Sequence, residues 1–296
     1  MKIQSLVLTM LISIVPAILF GQGTSTSFSE LTTPPTAQSA ALASSNFTTS
    51  SLDASYLNPA VLGALKTPSL LVSTSRWIQE TSTYTASIAF PIKKGTIAAS
   101  VWTLSVPDIE VRTNPGEPEG LFSYRSTFFS ASYALTVFKN MSIGVTGKYL
   151  FNKIYVDELD GFAVDGGLLY GTEKWNLGFS LRNLGSVKEQ NRDNELPTTI
   201  SIGGNYNIPI WKIESTVFLG LSSETRIEKN HVHVGLESIY DGVIIARIGY
   251  VSGYDSHGIS FGGGIKYSLL QLDYAYVPFS YTLGNSHFVS VRFGLE

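Results

Sequence analysis

The sequence predicts an all-β protein, a transmembrane antiparallel β-barrel of about 14 strands with an N-terminal plug. Three observations carry this prediction. Apolar and polar residues alternate with period two from Ser69 to the last residue. Only 15 % of the 296 residues are charged, where soluble domains carry about a quarter. Past residue 22 no stretch of about 18 continuous apolar residues occurs, so no helix spans a membrane.

The N-terminus reads as an export signal over residues 1–22. Lys2 gives a positive start, Leu6 to Phe20 is apolar apart from Thr9 and Ser13, and Phe20-Gly21-Gln22-Gly23 ends it. The chain contains no cysteine, which excludes disulfides, thiolate metal sites and a lipidated N-terminal Cys. A net charge of −3 argues against a nucleic-acid partner.

Residues 23–66 read as a plug segment. Gly23 to Ser51 is rich in Ser, Thr and Ala, broken by Pro34-Pro35, with a short helical pattern at Ala37 to Ala43. It is too small and polar to form a core of its own. Leu52, Tyr56, Leu57, Val61, Leu62 and Leu65 nevertheless give it something to pack with.

Residues 67–296 read as the barrel. Runs between turn signals place strands near 69–77, 81–90, 95–105, 121–137, 141–154, 161–172, 174–184 and 197–207. Six more follow near 211–222, 230–240, 243–252, 257–268, 270–278 and 286–295. An even number leaves both ends of the barrel on the periplasmic side. The charges keep to one face: Val289, Val291 and Phe293 oppose Ser290, Arg292 and Gly294, and Leu177 and Phe179 oppose Gly178, Ser180 and Arg182. A basic residue facing lipid at mid-bilayer costs about 2–4 kcal/mol, so the charged face is the lumen. Links after even-numbered strands are short, such as Lys139-Asn140 and Asp241-Gly242; those after odd strands are longer, as at Val106 to Gly120 and Gly185 to Leu196. Trp175 and Trp211 follow short turns, where an interfacial aromatic girdle belongs.

The candidate site residues lie on the lumenal face. Lys148, Asp165, Arg182, Glu237, Arg247, Lys266, Asp273 and Arg292 form a charge network of mixed sign, joined by Glu296 at the terminus. Mixed signs favour ion pairs over a selectivity ring. The expected pairs are Glu237 with Arg247, and Arg247 or Lys266 with Asp273. Trp102, Leu104, Phe128 and Phe218 fall on otherwise polar faces and mark a possible path for an apolar ligand. His231 and His233 share a strand face with Glu237, while His257 and His287 stand apart. No Ser–His–carboxylate set, catalytic residue, metal site or cofactor site is readable. The acidic Val106–Gly120 segment lacks Ca²⁺-loop spacing and reads as a solvated surface loop.

A resemblance joins these readings. Phe28 to Leu31, Pro34-Pro35, Ala37-Gln38-Ser39-Ala40-Ala41 and Asn58-Pro59-Ala60 resemble the PorV/PorQ family of FadL-like barrels. So do Leu181-Arg182-Asn183-Leu184-Gly185, Arg247-Ile248-Gly249-Tyr250, Leu272-Asp273-Tyr274-Ala275 and Ser286-His287-Phe288-Val289-Ser290. The resemblance covers about residues 28–296, and in length the chain is nearer PorQ. It implies a fourteen-stranded barrel with its N-terminal segment folded into the lumen, and association with type IX secretion. Implied partners are outer-membrane lipid and secretion components or cargo proteins held at the cell surface. A FadL-like transporter of hydrophobic small molecules is the alternative it implies. In such barrels the Asn58, Pro59, Ala60 triplet belongs to the plug, where it either gates a hydrophobic path or simply seats the segment. The chain lacks long extracellular insertions and ends without an aromatic residue.

Overall fold

The computed structural model describes residues 27–77, 81–112, 114–155, 157–189, 192–225, 229–281 and 283–294, without the side chains of 188, 189 and 192–194. The export signal expected over residues 1–22 and the terminal Glu296 lie outside these residues.

Fifteen strands follow the lumenal segment. They are β1 Ser69–Arg76, β2 Ser82–Ile92, β3 Gly95–Val111, β4 Gly120–Phe138, β5 Met141–Ile154, β6 Asp157–Gly171, β7 Trp175–Glu189 and β8 Arg192–Glu195. The rest are β9 Thr199–Ile210, β10 Ile213–Glu224, β11 Lys229–Tyr240, β12 Ile244–Val251, β13 Ile259–Tyr267, β14 Leu270–Pro278 and β15 Asn285–Gly294. Every pairing is antiparallel, and β1 pairs with β15 from Ser69 opposite Gly294 to Arg76 opposite His287, which closes the wall. The short β8 pairs only with the end of β7, so fourteen of the fifteen strands form the barrel. Closure removes the unpaired edges that an open sheet would leave in lipid.

The predicted alternation sets the two faces. Along β12, Ile244, Ala246, Ile248 and Tyr250 are exposed on the outside, while Ile245, Arg247, Gly249 and Val251 are buried inside. The short turns after β2, β4, β6, β9, β11 and β13 lie on the rim that also carries Ser69 and Gly294, the periplasmic rim of an outer-membrane barrel. Trp175 sits there against Tyr170 with ring centroids 5.4 Å apart, and Trp211 is 88 % exposed at its turn.

Two segments expected to be loops are partly strand. β3 and β4 stay paired to Val111 opposite Gly120, with a bulge between Val106 and Ile109 where Asp108 has φ 54°. Pro107 and Asp108, placed in the expected loop, serve the bulge instead, which admits residues a regular ladder rejects. Gly185–Leu196 is largely the β7–β8 hairpin. The barrel is therefore taller on one side. β3 to β7 run 14–19 residues, whereas β9 to β15 with β1 and β2 run 8–12.

The lumen holds residues 28–66 as short pieces: α1 Ala37–Ala41 and 3₁₀ turns at Ser29–Thr32, Asp53–Tyr56 and Pro59–Ala64. Thr36 caps α1 by accepting from the Ser39 N–H at 3.3 Å. Leu52 and Leu62 pack with Leu71, Ala89 and Ala134 of the wall, and Val61 packs with Leu169. The apolar residues that the segment itself could not bury are buried against the barrel.

Candidate functional site

The seat of the lumenal segment is built from glycine. Gly144 on β5, Gly167 on β6, Gly178 on β7, Gly203 on β9, Gly220 on β10, Gly235 on β11, Gly249 on β12 and Gly262 on β13 face inward on eight consecutive wall strands. At each, a Cβ would collide with the lumenal segment: at Gly249 it would lie 2.5 Å from the Leu42 carbonyl carbon and 2.6 Å from the Ala43 nitrogen. At Gly220 it would lie 2.6 Å from the Phe47 ring. Removing side chains there lets the backbone of residues 41–60 approach the wall. The usable sequence signal is the parity of these glycines, since each shares the face of the lumenal charges.

Asn58, Pro59 and Ala60 dock on this belt at β5 and β6. The Asn58 Oδ1 accepts from the Ala60 N–H at 3.0 Å and its Nδ2 donates to the Leu168 carbonyl at 3.2 Å. Pro59 opens the 3₁₀ turn, where a missing N–H costs nothing. A Cβ on Gly144 would strike Pro59, and one on Gly167 would strike Asn58.

The charges gather in two groups. In the periplasmic half, Arg247 donates to Glu237 and Asp273, each at 2.6 Å, and Glu237 also accepts from Gln38 at 3.2 Å. Gln271 bonds both Asp273 oxygens and accepts from Arg292, whose other arm donates to Asp53 at 2.8 Å. The network thus ties the lumenal segment, through Gln38 and Asp53, to β11, β12, β14 and β15. Lys266 does not join Asp273, whose oxygens Arg247 and Gln271 occupy. It faces a void of about 330 Å³ that also borders Lys66 and opens on the periplasmic rim. In the other half, Lys148 pairs with Asp165 at 2.7 Å and donates to Asn183 at 2.8 Å. Asp165 accepts from the Asn183 N–H at 2.8 Å, where β7 turns through φ 59°. The Nε of Arg182, next in chain, has no hydrogen-bond partner among the described residues, and the Asp165 and Glu224 carboxylates act on its guanidinium.

Three of the four apolar candidates meet. Trp102 and Phe128 stack at 4.8 Å, Leu104 joins them, and Phe28 closes over Phe128 at 5.8 Å with Leu150, Val187 and Leu196 around. Phe218, although fully buried, is not part of that cluster. Voids of about 60 and 40 Å³ flank Leu57 and Arg182.

The histidines form an aromatic run. His231 stacks on Tyr254 at 4.0 Å, Tyr254 on His257 at 4.6 Å, and His257 meets Phe279 at 4.9 Å. His233 bonds the Ala43 carbonyl at 2.7 Å and the Ser222 hydroxyl at 2.8 Å, holding the lumenal segment. In the loop after β12, burial and the nearby Glu224 carboxylate push the Tyr254 phenol up, and burial with His231 pushes the His257 imidazole down. Among the described residues no three His, Asp or Glu side chains converge in a way that could hold a metal ion.

A closed fourteen-stranded antiparallel wall, an apolar outer band and a filled lumen define an outer-membrane β-barrel. Residues 42–293 match the family described as type IX secretion system membrane protein PorP/SprF, and the chain belongs to it. The motifs suggested PorV/PorQ; the match lies with another family of type IX secretion barrels. Among solved structures, the Pseudomonas putida toluene transporter TodX superposes with a TM-score of 0.59 at 10 % identity, covering 81 % of this chain and 93 % of that one. A TodX deletion variant described as a monoaromatic hydrocarbon channel gives 0.56 at 12 % identity, covering 88 % and 98 %. At these identities the likeness shows the FadL-like fold alone. No curated protein matches the sequence.

Proposed function

We propose that this barrel anchors or handles proteins at the cell surface in type IX secretion, with its lumen closed by residues 23–66 after a signal over 1–22 is removed. One observation carries the reading. The tall wall of β3 to β6 rises past a charged belt of Arg125, Lys153, Glu158 and Asp160, all exposed. Above that belt, apolar side chains return at the tips. Leu121 is 62 % and Tyr155 61 % exposed, with Phe122 packed on Tyr155 at 5.7 Å and Ile154 beside them. Lipid covers apolar residues within the membrane band, but above a charged belt an exposed apolar patch marks a protein contact. The partners this implies are secretion components or exported cargo.

Replacing Leu121 and Tyr155 together by Glu tests this. Barrel levels in the outer membrane stay at wild type, while proteins exported by the type IX route shift from the cell surface to the medium. Undiminished surface retention with a normal amount of barrel contradicts the reading.

The second reading is a FadL-like transporter of a hydrophobic ligand. It draws on the Trp102–Leu104–Phe128 cluster inside an otherwise polar lumen and on the transport named for TodX. The small void of about 40 Å³ beside that cluster and the Phe28 ring closing it weigh against a through path in this conformation.

A further inference from the structure

The periplasmic rim carries an excess of positive charge on one side. Four of its turns are neighbours around the barrel: β2–β3 with Lys93 and Lys94, β4–β5 with Lys139, β6–β7 with Lys174 and β9–β10 with Lys212. Within these turns the five lysines, all exposed, meet one acid, Glu173. Lys212 reaches Asp241 of the next turn at 3.3 Å. The other four ammonium groups have no ion pair or hydrogen bond among the described residues. Beside Lys174 the outer wall is hollowed. Gly204 of β9 faces outward, opposite Leu177 of β7 on one side and Leu219 of β10 on the other. A shallow groove of about 410 Å³ lies here, lined by these three residues with Trp175, Tyr206 and Val217. The Lys174 carbonyl accepts from the Asn207 N–H at 2.7 Å, which fixes Lys174 next to Tyr206 at the periplasmic end of the groove.

We infer that this groove and the lysine rim hold an anionic phospholipid of the periplasmic leaflet, with an acyl chain in the groove and the headgroup phosphate at Lys174. A groove on the outer wall of a membrane barrel opens onto lipid, so its occupant comes from the membrane. Trp175 and Tyr206 flank it, and rings with an apolar body and a polar tip sit at the level of the headgroups. A lysine at that level lays its stem along apolar surface and carries its ammonium group out among the headgroups. There it favours a headgroup with net negative charge over a zwitterionic one. Lys139 and Lys212, on the turns to either side, add to the positive field, and the exposed Glu173 subtracts from it. An acidic periplasmic protein would meet the same lysines, but it leaves the apolar groove beside them without a purpose. The site is independent of the surface-docking reading, because it lies at the opposite rim and shares no residue with the tips of the tall wall.

The test uses the full barrel refolded in detergent micelles, with native mass spectrometry to count the lipid molecules it retains. Dioleoylphosphatidylglycerol adds as a single molecule and saturates. It binds about fivefold more tightly than dioleoylphosphatidylcholine, the preference that one lysine near an anionic surface supplies. Lys174→Gln removes that preference and leaves the weaker binding common to both lipids. Val217→Trp fills the groove from an outward-facing position that is 39 % exposed, and weakens both lipids at least fivefold. Both variants retain the heat-modifiable gel shift of a folded barrel. If Val217→Trp fails to fold, the Lys174→Gln comparison decides. Equal binding of the two lipids by the wild type overturns the inference. So does an undiminished preference in folded Lys174→Gln, or undiminished lipid binding in folded Val217→Trp. Retention of poly-glutamate with no retained phosphatidylglycerol also overturns it, and assigns the lysines to an acidic protein partner.

Discussion

Arg292, near the end of the last strand, donates to Asp53 of the lumenal segment at 2.8 Å across 239 residues of chain. The Asp53 side chain is 1 % exposed, so this contact is an obligation as well as an attraction. A buried carboxylate deprived of its cation is left with its full desolvation penalty.

Arg292→Met is therefore expected to destabilise the barrel by about 3–5 kcal/mol, the usual effect of breaking one side of a buried pair. Urea unfolding in micelles measures it. Adding Asp53→Asn recovers a large part of that loss, since it removes the stranded charge. Additive losses in the double variant would show that the two residues are not coupled.

The glycine belt gives a second expectation. Gly249→Val places side-chain atoms where Leu42 and Ala43 already sit, and overpacking of this kind costs about 1–3 kcal/mol. The heat-modifiability midpoint falls and the lumenal segment becomes accessible to protease. Gly147→Ala, with nothing within 4 Å of the added carbon, leaves both unchanged. Equal effects from the two substitutions would remove the belt's role.

His257 gives a pH expectation. Burial and His231 hold its folded-state pKa below the ordinary value, so the imidazole is neutral in the folded loop. The neutral form is favoured on folding, and that contribution is complete above the unfolded value of about 6.5. It is lost as pH falls from there through the depressed folded value. The groups facing it are His231, Tyr254, Phe279 and Ser256, with Glu224 bonded to Tyr254. Hydrogen exchange at the Val251 N–H, which donates to the Gly258 carbonyl at 2.8 Å, accelerates below about pH 6.5. His257→Phe flattens that dependence. An unchanged profile in the variant assigns the effect elsewhere.

Much of this was legible in the sequence because a barrel wall obeys a strict period of two. Arg247 could be matched with Glu237 from parity and strand order, since the two stand opposite each other on neighbouring strands; Asp273 lies two strands away, and the pair forms across the glycines of β13. Lys266 could not be resolved the same way: competition for Asp273 was won by Arg247 and Gln271, which depends on geometry. The Val106–Gly120 segment was expected to be loop throughout because a bulge and a loop use the same residue types, here Pro107 and Asp108. The seat of Asn58-Pro59-Ala60 is invisible without the wall, because glycine advertises nothing about what approaches it.

The central claim is that the lumenal segment, seated on the glycine belt and tied by Arg292 and Arg247, closes the barrel. Single-channel recording of the purified full barrel in planar bilayers tests it most directly. The wild type is expected to show no steady ohmic conductance, and adding Gly249→Val to Arg292→Met is expected to give conducting events. A stable open conductance in the wild-type barrel would contradict it.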